Sequence, residues 1–405
     1  MTKAGFAFII AGVFVYFLAS QTQIGWLYLF DAIIWGLLVL SAILPWYSLR
    51  SLQVERQVLL PGSAQLELGG PLEDETVEVK LKVTNNGRLA KHFIKVLEDC
   101  PFDQPEKHQR AFLVTNLSPK SVTAFSYTAT CYRRGYYPSA NITLQSSGLL
   151  GLMVRRCTFQ LPLKLTVYPQ YYQMEGLPAA DAAWADWGHA IKSSAPDEFY
   201  GSREYQYGEP LKHIHWRNTA RLGHFMLKEF EQASQGSVAV VFETGHDFGT
   251  GRETTLEYSI KIAASLAKLG ADSGRQIDIL AGETPLHHAE WREAMDYLAY
   301  LEAGGKASLA ELTAALEPGQ AVVAIVPAIE TQLIPALSQL ANRVRGLMVV
   351  LLEGFAADEI PHLLSSRLKG SNVDIISCSR GNLEAAIEKL GNALFSTGKL
   401  TVSVS

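Results

Sequence analysis

Two apolar runs open the chain, Ala4 to Ser20 and Ile24 to Leu44, separated only by the polar triplet Gln21-Thr22-Gln23. As helices they are roughly 25 and 30 Å long, matching a hydrocarbon core, and they predict a helical hairpin through a bilayer. A second full-length run directly after the first argues against a cleaved signal peptide. From Ser51 to about Gln170 the period changes to two, as in Glu78-Val79-Lys80-Leu81-Lys82-Val83, which ends at the turn signal Asn85-Asn86-Gly87. Ala124 to Tyr127 and Asn141 to Leu144 repeat the alternation, so this stretch is expected to be an antiparallel, immunoglobulin-like β-sandwich. Beyond Ser237 the pattern changes again. Val238 to Phe242, Ile277 to Leu280, Val322 to Val326 and Leu347 to Leu352 are continuous apolar runs of buried parallel strands. Helical stretches such as Trp291 to Leu301 and Leu383 to Phe395 separate them, and Thr254 with Glu257 marks a helix start, so a doubly wound α/β sheet is predicted.

The expected organisation is a membrane-anchored multidomain chain: a two-helix transmembrane hairpin at 1–48, a β-rich immunoglobulin-like domain at 49–170, a linker at 171–200, a polar segment at 201–232 and an α/β domain at 233–398. Charge sharpens this picture. Asp31 is the only formal charge between Lys3 and Arg50, while Lys3 precedes the first span and Arg50 and Arg56 follow the second. The positive-inside rule then places both termini and the large domains in the cytoplasm, at the inner membrane. Asp31 lies two turns into the second span and is expected to snorkel toward the outer headgroups. Thirty-five basic against forty acidic residues leave a net charge of -5 with no basic block, which removes nucleic acid as an expected partner. Cys100, Cys131, Cys157 and Cys378 form no C-x-x-C and are expected to be buried free thiols.

In the β-rich stretch, Arg133-Arg134-Gly135-Tyr136-Tyr137 reads as a bend relieved by Gly135 with tyrosines packed on the sheet, rather than a cation-π ligand patch. The densest polar stretch runs from Arg203 to Arg221. His213 and His215 are two apart, which suits a metal on a strand; Pro210 suits a helix start, and on a helix those rings diverge. The arginines and Lys212 could instead clamp a phosphate or carboxylate, although Glu204, Glu209, Glu229 and Glu231 nearly cancel their field. The favoured expectation is that the charges pair among themselves while Trp216 docks the segment onto the next domain, an arrangement in which an interaction surface would look the same.

Arg203, Tyr205, Gly208, Glu209, Lys212, Ile214, His215, Trp216, Thr219, Ala220 and Arg221, in that order and spacing, resemble the hallmark of the bacterial family known as domain of unknown function 58. Members usually carry Asp where Glu209 stands and Arg where Lys212 stands. The resemblance implies a two-helix membrane hairpin, a β-rich region with an element like Arg134-Gly135-Tyr136, and a von Willebrand factor A-like α/β domain. It also implies, by gene neighbourhood, an association with MoxR-type AAA+ ATPases.

The loop after the first α/β strand is Glu243-Thr244-Gly245-His246-Asp247. The von Willebrand type of domain normally holds Mg²⁺ there through Asp-x-Ser-x-Ser, and two of those hydroxyls are missing here. The loop is expected to keep the fold without the ion; Glu243 and Asp247 are the ligands if one is held. Gly249-Thr250-Gly251 hints at a phosphate loop, but no third glycine follows in G-x-G-x-x-G register. No G-x-S-x-G, H-E-x-x-H or Walker motif occurs. The expected function is therefore a non-catalytic, membrane-anchored scaffold or adaptor without a cofactor, in contact with the lipid bilayer and with a protein partner such as a MoxR-type ATPase. The alternative is divalent-metal-dependent adhesion-type binding, or a hydrolytic enzyme, using loop 243–247.

Overall fold

The structure is a computed structural model that describes residues 2–60, 68–147, 151–174, 199–204, 216–223, 225–230, 238–316, 320–329, 333–344, 346–356, 359 and 373–395. The chain divides into two compact units, Met1–Gln170 and Tyr171–Ser405.

The first unit begins with α1 (Lys3–Thr22) and α2 (Gly25–Leu49), both long and apolar enough to cross a membrane. Thr2 caps α1 through its side chain, and Gln23 ends it in the left-handed conformation. Small residues seven apart, Gly5, Gly12 and Ala19, are the buried ones of α1, and Asp31, Leu38 and Pro45 continue the spacing on α2. A Cβ on Gly12 would lie 3.3 Å from Ile34 Cγ2 and Trp35 Nε1, so glycine sets how closely the helices approach. Outward, Phe6, Ile10, Phe14, Phe17, Phe30 and Ile43 are each more than half exposed, an apolar surface that suits lipid. Asp31 turns inward instead: it is 8% exposed, and its Oδ1 has no hydrogen-bond partner among the described residues. The expected snorkelling to the outer headgroups is therefore corrected, because the seven-residue seam places this carboxylate between the helices.

Among the described residues, seven strands follow: β1 (Leu52–Leu59), β2 (Thr76–Asn85), β3 (Lys91–Asp99), β4 (Gln109–Leu117), β5 (Val122–Thr130), β6 (Gly135–Ser146) and β7 (Arg155–Val167). They form two antiparallel sheets, ordered β1-β2-β5 and β4-β3-β6-β7, around one apolar core that includes Val79, Leu81, Ile94, Val96, Ile142 and Leu144. The alternation in β2 places Val77, Val79, Leu81 and Val83 in that core and the lysines outside. At the turn after β2 the Gly87 amide donates to Asn85 Oδ1 at 2.9 Å, while the Asn85 amide group holds the Leu89, Leu117 and Ser118 carbonyls.

The module is tied to both helices. Lys91 Nζ donates to the Tyr47 carbonyl at 2.5 Å, over the same tyrosine's ring at 3.8 Å, satisfying a carbonyl at the end of α2. The Asn86 amide donates to the Ser51 carbonyl, and the Thr2 amide and hydroxyl donate to Leu152 and Gly151 carbonyls.

In the second unit β8 (Phe199–Glu204), α3 (Trp216–Leu222) and β9 (Met226–Phe230) form a small layer, with β8 and β9 antiparallel. A six-stranded sheet follows, made of β10 (Val238–Phe242), β13 (Ile277–Leu280), β14 (Leu286–Ala289), β15 (Ala321–Pro327), β16 (Gly346–Glu353) and β17 (Val373–Ser379). Its order is β14-β13-β10-β15-β16-β17, all parallel except the edge strand β14. The first strand is thus flanked by the second on one side and by later ones on the other, which creates a topological switch between β10 and β15. On one face α6 (Leu309–Ala314) and α7 (Leu333–Arg343) share a core with Ala239, Val241, Val322, Ala324, Val349 and Leu351. The helices α4 (Thr255–Asp272), α5 (Trp291–Tyr300) and α8 (Leu383–Phe395) complete the α/β layer, and β10, buried at every position, reads as an unbroken apolar run because it is covered on both faces.

Candidate functional site

The carboxyl edge of β10 is the first place to look, since ligands of open α/β sheets bind at the switch. Glu243 directly follows the strand, and its carboxylate accepts the Leu309 amide at the first turn of α6. Asp247 Oδ1 accepts the Leu256 amide at 3.0 Å and the Thr255 hydroxyl at 3.3 Å, at the start of α4. The same hydroxyl accepts the Phe248 amide, so the nearest Thr oxygen is already engaged. The Gly304 amide donates to the Thr244 carbonyl, and a Cβ on Gly305 would collide with Thr244 Oγ1. The loop is therefore packed onto its neighbours, with each carboxylate satisfying orphan amides at a helix start. A divalent ion needs six or so oxygen ligands; this pair, with its hydroxyl already bonded, does not supply that set. Among the described residues no group of three or more His, Cys, Asp or Glu could hold a metal ion.

The glycines behind this loop have a turn role. Gly249 and Gly251 have positive φ, and a two-residue ladder pairs Gly249 with Thr254 and Thr250 with Glu253 (β11 and β12). A Cβ on Gly249 would collide with the Glu253 carbonyl, so the glycine serves a tight hairpin. Thr254 is the N-cap of α4, accepting the Glu257 amide at 3.3 Å.

Of the polar signature, Arg203 lies on β8 opposite Leu227, and Trp216, Thr219, Ala220 and Arg221 lie on α3. Tyr205, Gly208, Glu209, Lys212, His213, Ile214 and His215 fall outside the described residues. Thr219 Oγ1 accepts the Met226 amide at 2.9 Å, and Gly223, at φ 78°, donates to the Thr219 carbonyl and ends the helix. Trp216 is 65% exposed and meets Phe225, 52% exposed, edge to face at 6.5 Å. Trp216, expected to dock the segment onto the next domain, instead pairs with another exposed ring on the surface, beside exposed Arg217 and Arg221.

Two buried polar clusters went unread in the sequence. Arg56 Nε and Glu98 Oε1 pair at 2.8 Å between the two sheets of the first unit, with side chains 2% and 1% exposed. The Arg56 guanidinium also donates to the Asp99 carbonyl at 3.3 Å, and burial pushes the Glu98 carboxyl up despite the cation. Each residue occupies an inward position of its strand, β1 and β3, so a charge in the apolar phase of the alternation was the available signal. In the second unit Asp278 is 1% exposed and accepts the His288 amide at 2.7 Å and Gln320 Nε2 at 2.6 Å, with the His287 and His288 rings nearby. Cys100, Cys131 and Cys378 are buried thiols pushed up to about 12, whereas Cys157 is half-buried. Tyr137 packs on Phe102 and Gly135 turns at φ 138°, while Tyr136 stays 43% exposed.

Residues 201–396 match the family model described as "Protein of unknown function DUF58". The chain is 26% identical over 276 residues to the uncharacterized protein YeaD of Bacillus subtilis, an alignment covering 65% of this chain and 65% of that relative. Among solved structures, Spo0M, a sporulation control protein from Bacillus subtilis, aligns at 14% identity and a TM-score of 0.17 over 38% of this chain and 58% of its own. The ApaA protein from Bordetella pertussis aligns at 13% identity and a TM-score of 0.16, over 28% of this chain and 93% of its own. At these scores neither likeness defines a shared fold.

Proposed function

We propose, from the match of residues 201–396 to the DUF58 family model, that this chain is a membrane-anchored, non-catalytic scaffold that recruits a protein partner, a MoxR-type AAA+ ATPase. The observation that carries this reading is the exposed Trp216–Phe225 pair flanked by Arg217 and Arg221 on the signature helix. Tryptophan and arginine dominate binding hot spots, and a solvent-facing ring pair has no packing task of its own that would retain it. The use of Glu243 and Asp247 as helix-start acceptors supports contact rather than metal chemistry. In this reading the two-sheet module is an immunoglobulin-like spacer and the second unit a von Willebrand factor A-like domain, consistent with its switch-point topology. Exposed Lys3 and Arg50 at the same end of the helical pair support an inner-membrane hairpin with both termini in the cytoplasm.

Co-purification of the full, detergent-solubilised chain with a MoxR-type ATPase from the same organism tests this. The native chain should retain the ATPase and Trp216→Ala should lose it; no complex with the native chain overturns the proposal. Calorimetric titration with Mg²⁺ and Mn²⁺ addresses the rival: heat at one ion per chain, abolished by Glu243→Gln, would favour a metal-dependent role for loop 243–247.

A further inference from the structure

The two ends of the two-sheet module differ in charge. At the end where β3 begins and β2, β4 and β6 finish, the loops read Asn86-Gly87-Arg88-Leu89-Ala90, Ser118-Pro119-Lys120-Ser121 and Gly151-Leu152-Met153-Val154-Arg155-Arg156, with no acid in them. Arg88, Lys120, Arg155 and Arg156 are exposed there. At the opposite end, Glu73, Asp74, Glu75, Asp99, Asp103 and Glu106 outnumber the cations Lys107, Arg110, Arg133 and Arg134.

The basic end is the one joined to the helical pair. Lys91 holds the Tyr47 carbonyl of α2, Asn86 holds Ser51, and Thr2, the cap of α1, holds Gly151 and Leu152. With 25 residues, α2 is about 38 Å long against a hydrocarbon core of about 30 Å, so its last turns, with Trp46 and Tyr47, reach headgroup depth. The basic loops are tied to that level.

Apolar side chains share this end. Leu89 is 57% and Phe93 58% exposed. Phe93 has φ 53°, which breaks the alternation of β3, so that His92 and Phe93 are exposed in succession and the ring leaves the core. Exposed apolar tips set among cations are the composition of a surface that meets anionic headgroups.

We propose that this rim of the two-sheet module is a docking surface for the anionic headgroup layer of the membrane that holds the hairpin, with Arg88, Lys120 and Arg155 on the lipid phosphates and Leu89 and Phe93 at the acyl boundary. The inference rests on the membrane-anchored reading above. It assigns the module a second task, fixing its orientation at the bilayer surface rather than acting as a passive spacer.

The full chain in nanodiscs of phosphatidylcholine, alone or mixed with phosphatidylglycerol, provides the test by hydrogen exchange. Segments 86–93 and 118–122 should exchange more slowly in the anionic discs, while the acidic end, 99–108, should be indifferent to lipid. Charge reversal by Arg88→Glu, Lys120→Glu and Arg155→Glu should remove the protection, by about fivefold per cation, the equivalent of the ~1 kcal/mol each gains at an anionic surface. High salt on the unaltered chain should do the same without any substitution. Equal exchange of the rim in both lipid mixtures, from a chain that resists alkaline carbonate extraction, overturns the docking surface and leaves the anchor standing. Extraction by carbonate overturns the anchor and the docking surface together.

Discussion

In the two-sheet module an arginine and a glutamate face each other between the sheets, Arg56 on β1 and Glu98 on β3, both essentially without solvent. In the α/β unit the central strands β10, β15 and β16 are apolar along nearly their whole length, and the carboxylates Glu243 and Asp247 stand past the end of β10, on helix starts. The contrast follows from coverage. Each antiparallel sheet has one wet face, and Arg56 and Glu98 enter the core between the sheets as a pair; in the parallel sheet, covered on both faces, polar groups stand past the strand ends or, like Asp278 on β13 beside the edge strand, carry their own hydrogen-bond partners.

Removing one partner of the buried pair should break this contrast most severely. Arg56→Met leaves Glu98 buried without its cation and should cost about 3–5 kcal/mol, read from denaturant unfolding of the solubilised chain followed by β-sheet circular dichroism. An unchanged midpoint would mean that the pair is solvated. Asp278→Ala removes a buried acceptor of the Gln320 amide group and the His288 amide inside the α/β unit, at about 1–3 kcal/mol by the same measurement.

The pH dependence sharpens the comparison. Burial raises Glu98 above the ordinary glutamate value of 4.5, so its folded form holds the proton more tightly than the unfolded chain does. Its contribution to stability should be full below about pH 4.5 and be lost as pH rises through the folded value. Melting curves of the native chain and Glu98→Gln across that interval should converge at the acidic end; parallel curves would show that Glu98 does not titrate differently when folded. At the crest of the α/β sheet, Glu243→Ala should cost only about 1 kcal/mol, the worth of a helix-start acceptor, and Glu243→Gln less, since it still accepts the Leu309 amide. Trp216→Ala, on the surface, should shift stability by less than about 0.5 kcal/mol while abolishing partner capture, a separation that thermal melts beside co-purification would reveal.

Much of the architecture was legible from periodicity. Val238 to Phe242, Ile277 to Leu280 and Leu383 to Phe395 coincide with β10, β13 and α8, because an unbroken apolar run and a 3.6-residue repeat each admit one economical burial. Leu286 to Ala289 carries no strand pattern; it becomes β14 because the edge of β13 offers Ile277 and Ile279 as partners. The six residues of α6 are too few to display a period and are held by their Ser308 cap and by Glu243.

By itself the sequence determined where apolar periods of one kind give way to another, and with them the two membrane-length helices, the antiparallel module, the parallel sheet and the likeness to the DUF58 family over residues 201–396. These depend on neighbours close along the chain. Only the tertiary structure decided that Asp31 faces a helix seam, that Glu243 and Asp247 serve helix starts, that Trp216 stays on the surface, and that the basic loops gather at the helical end of the module. Each of those outcomes depends on groups distant in sequence arriving at one place, and hydropathy along a single strand or helix carries no record of who arrives.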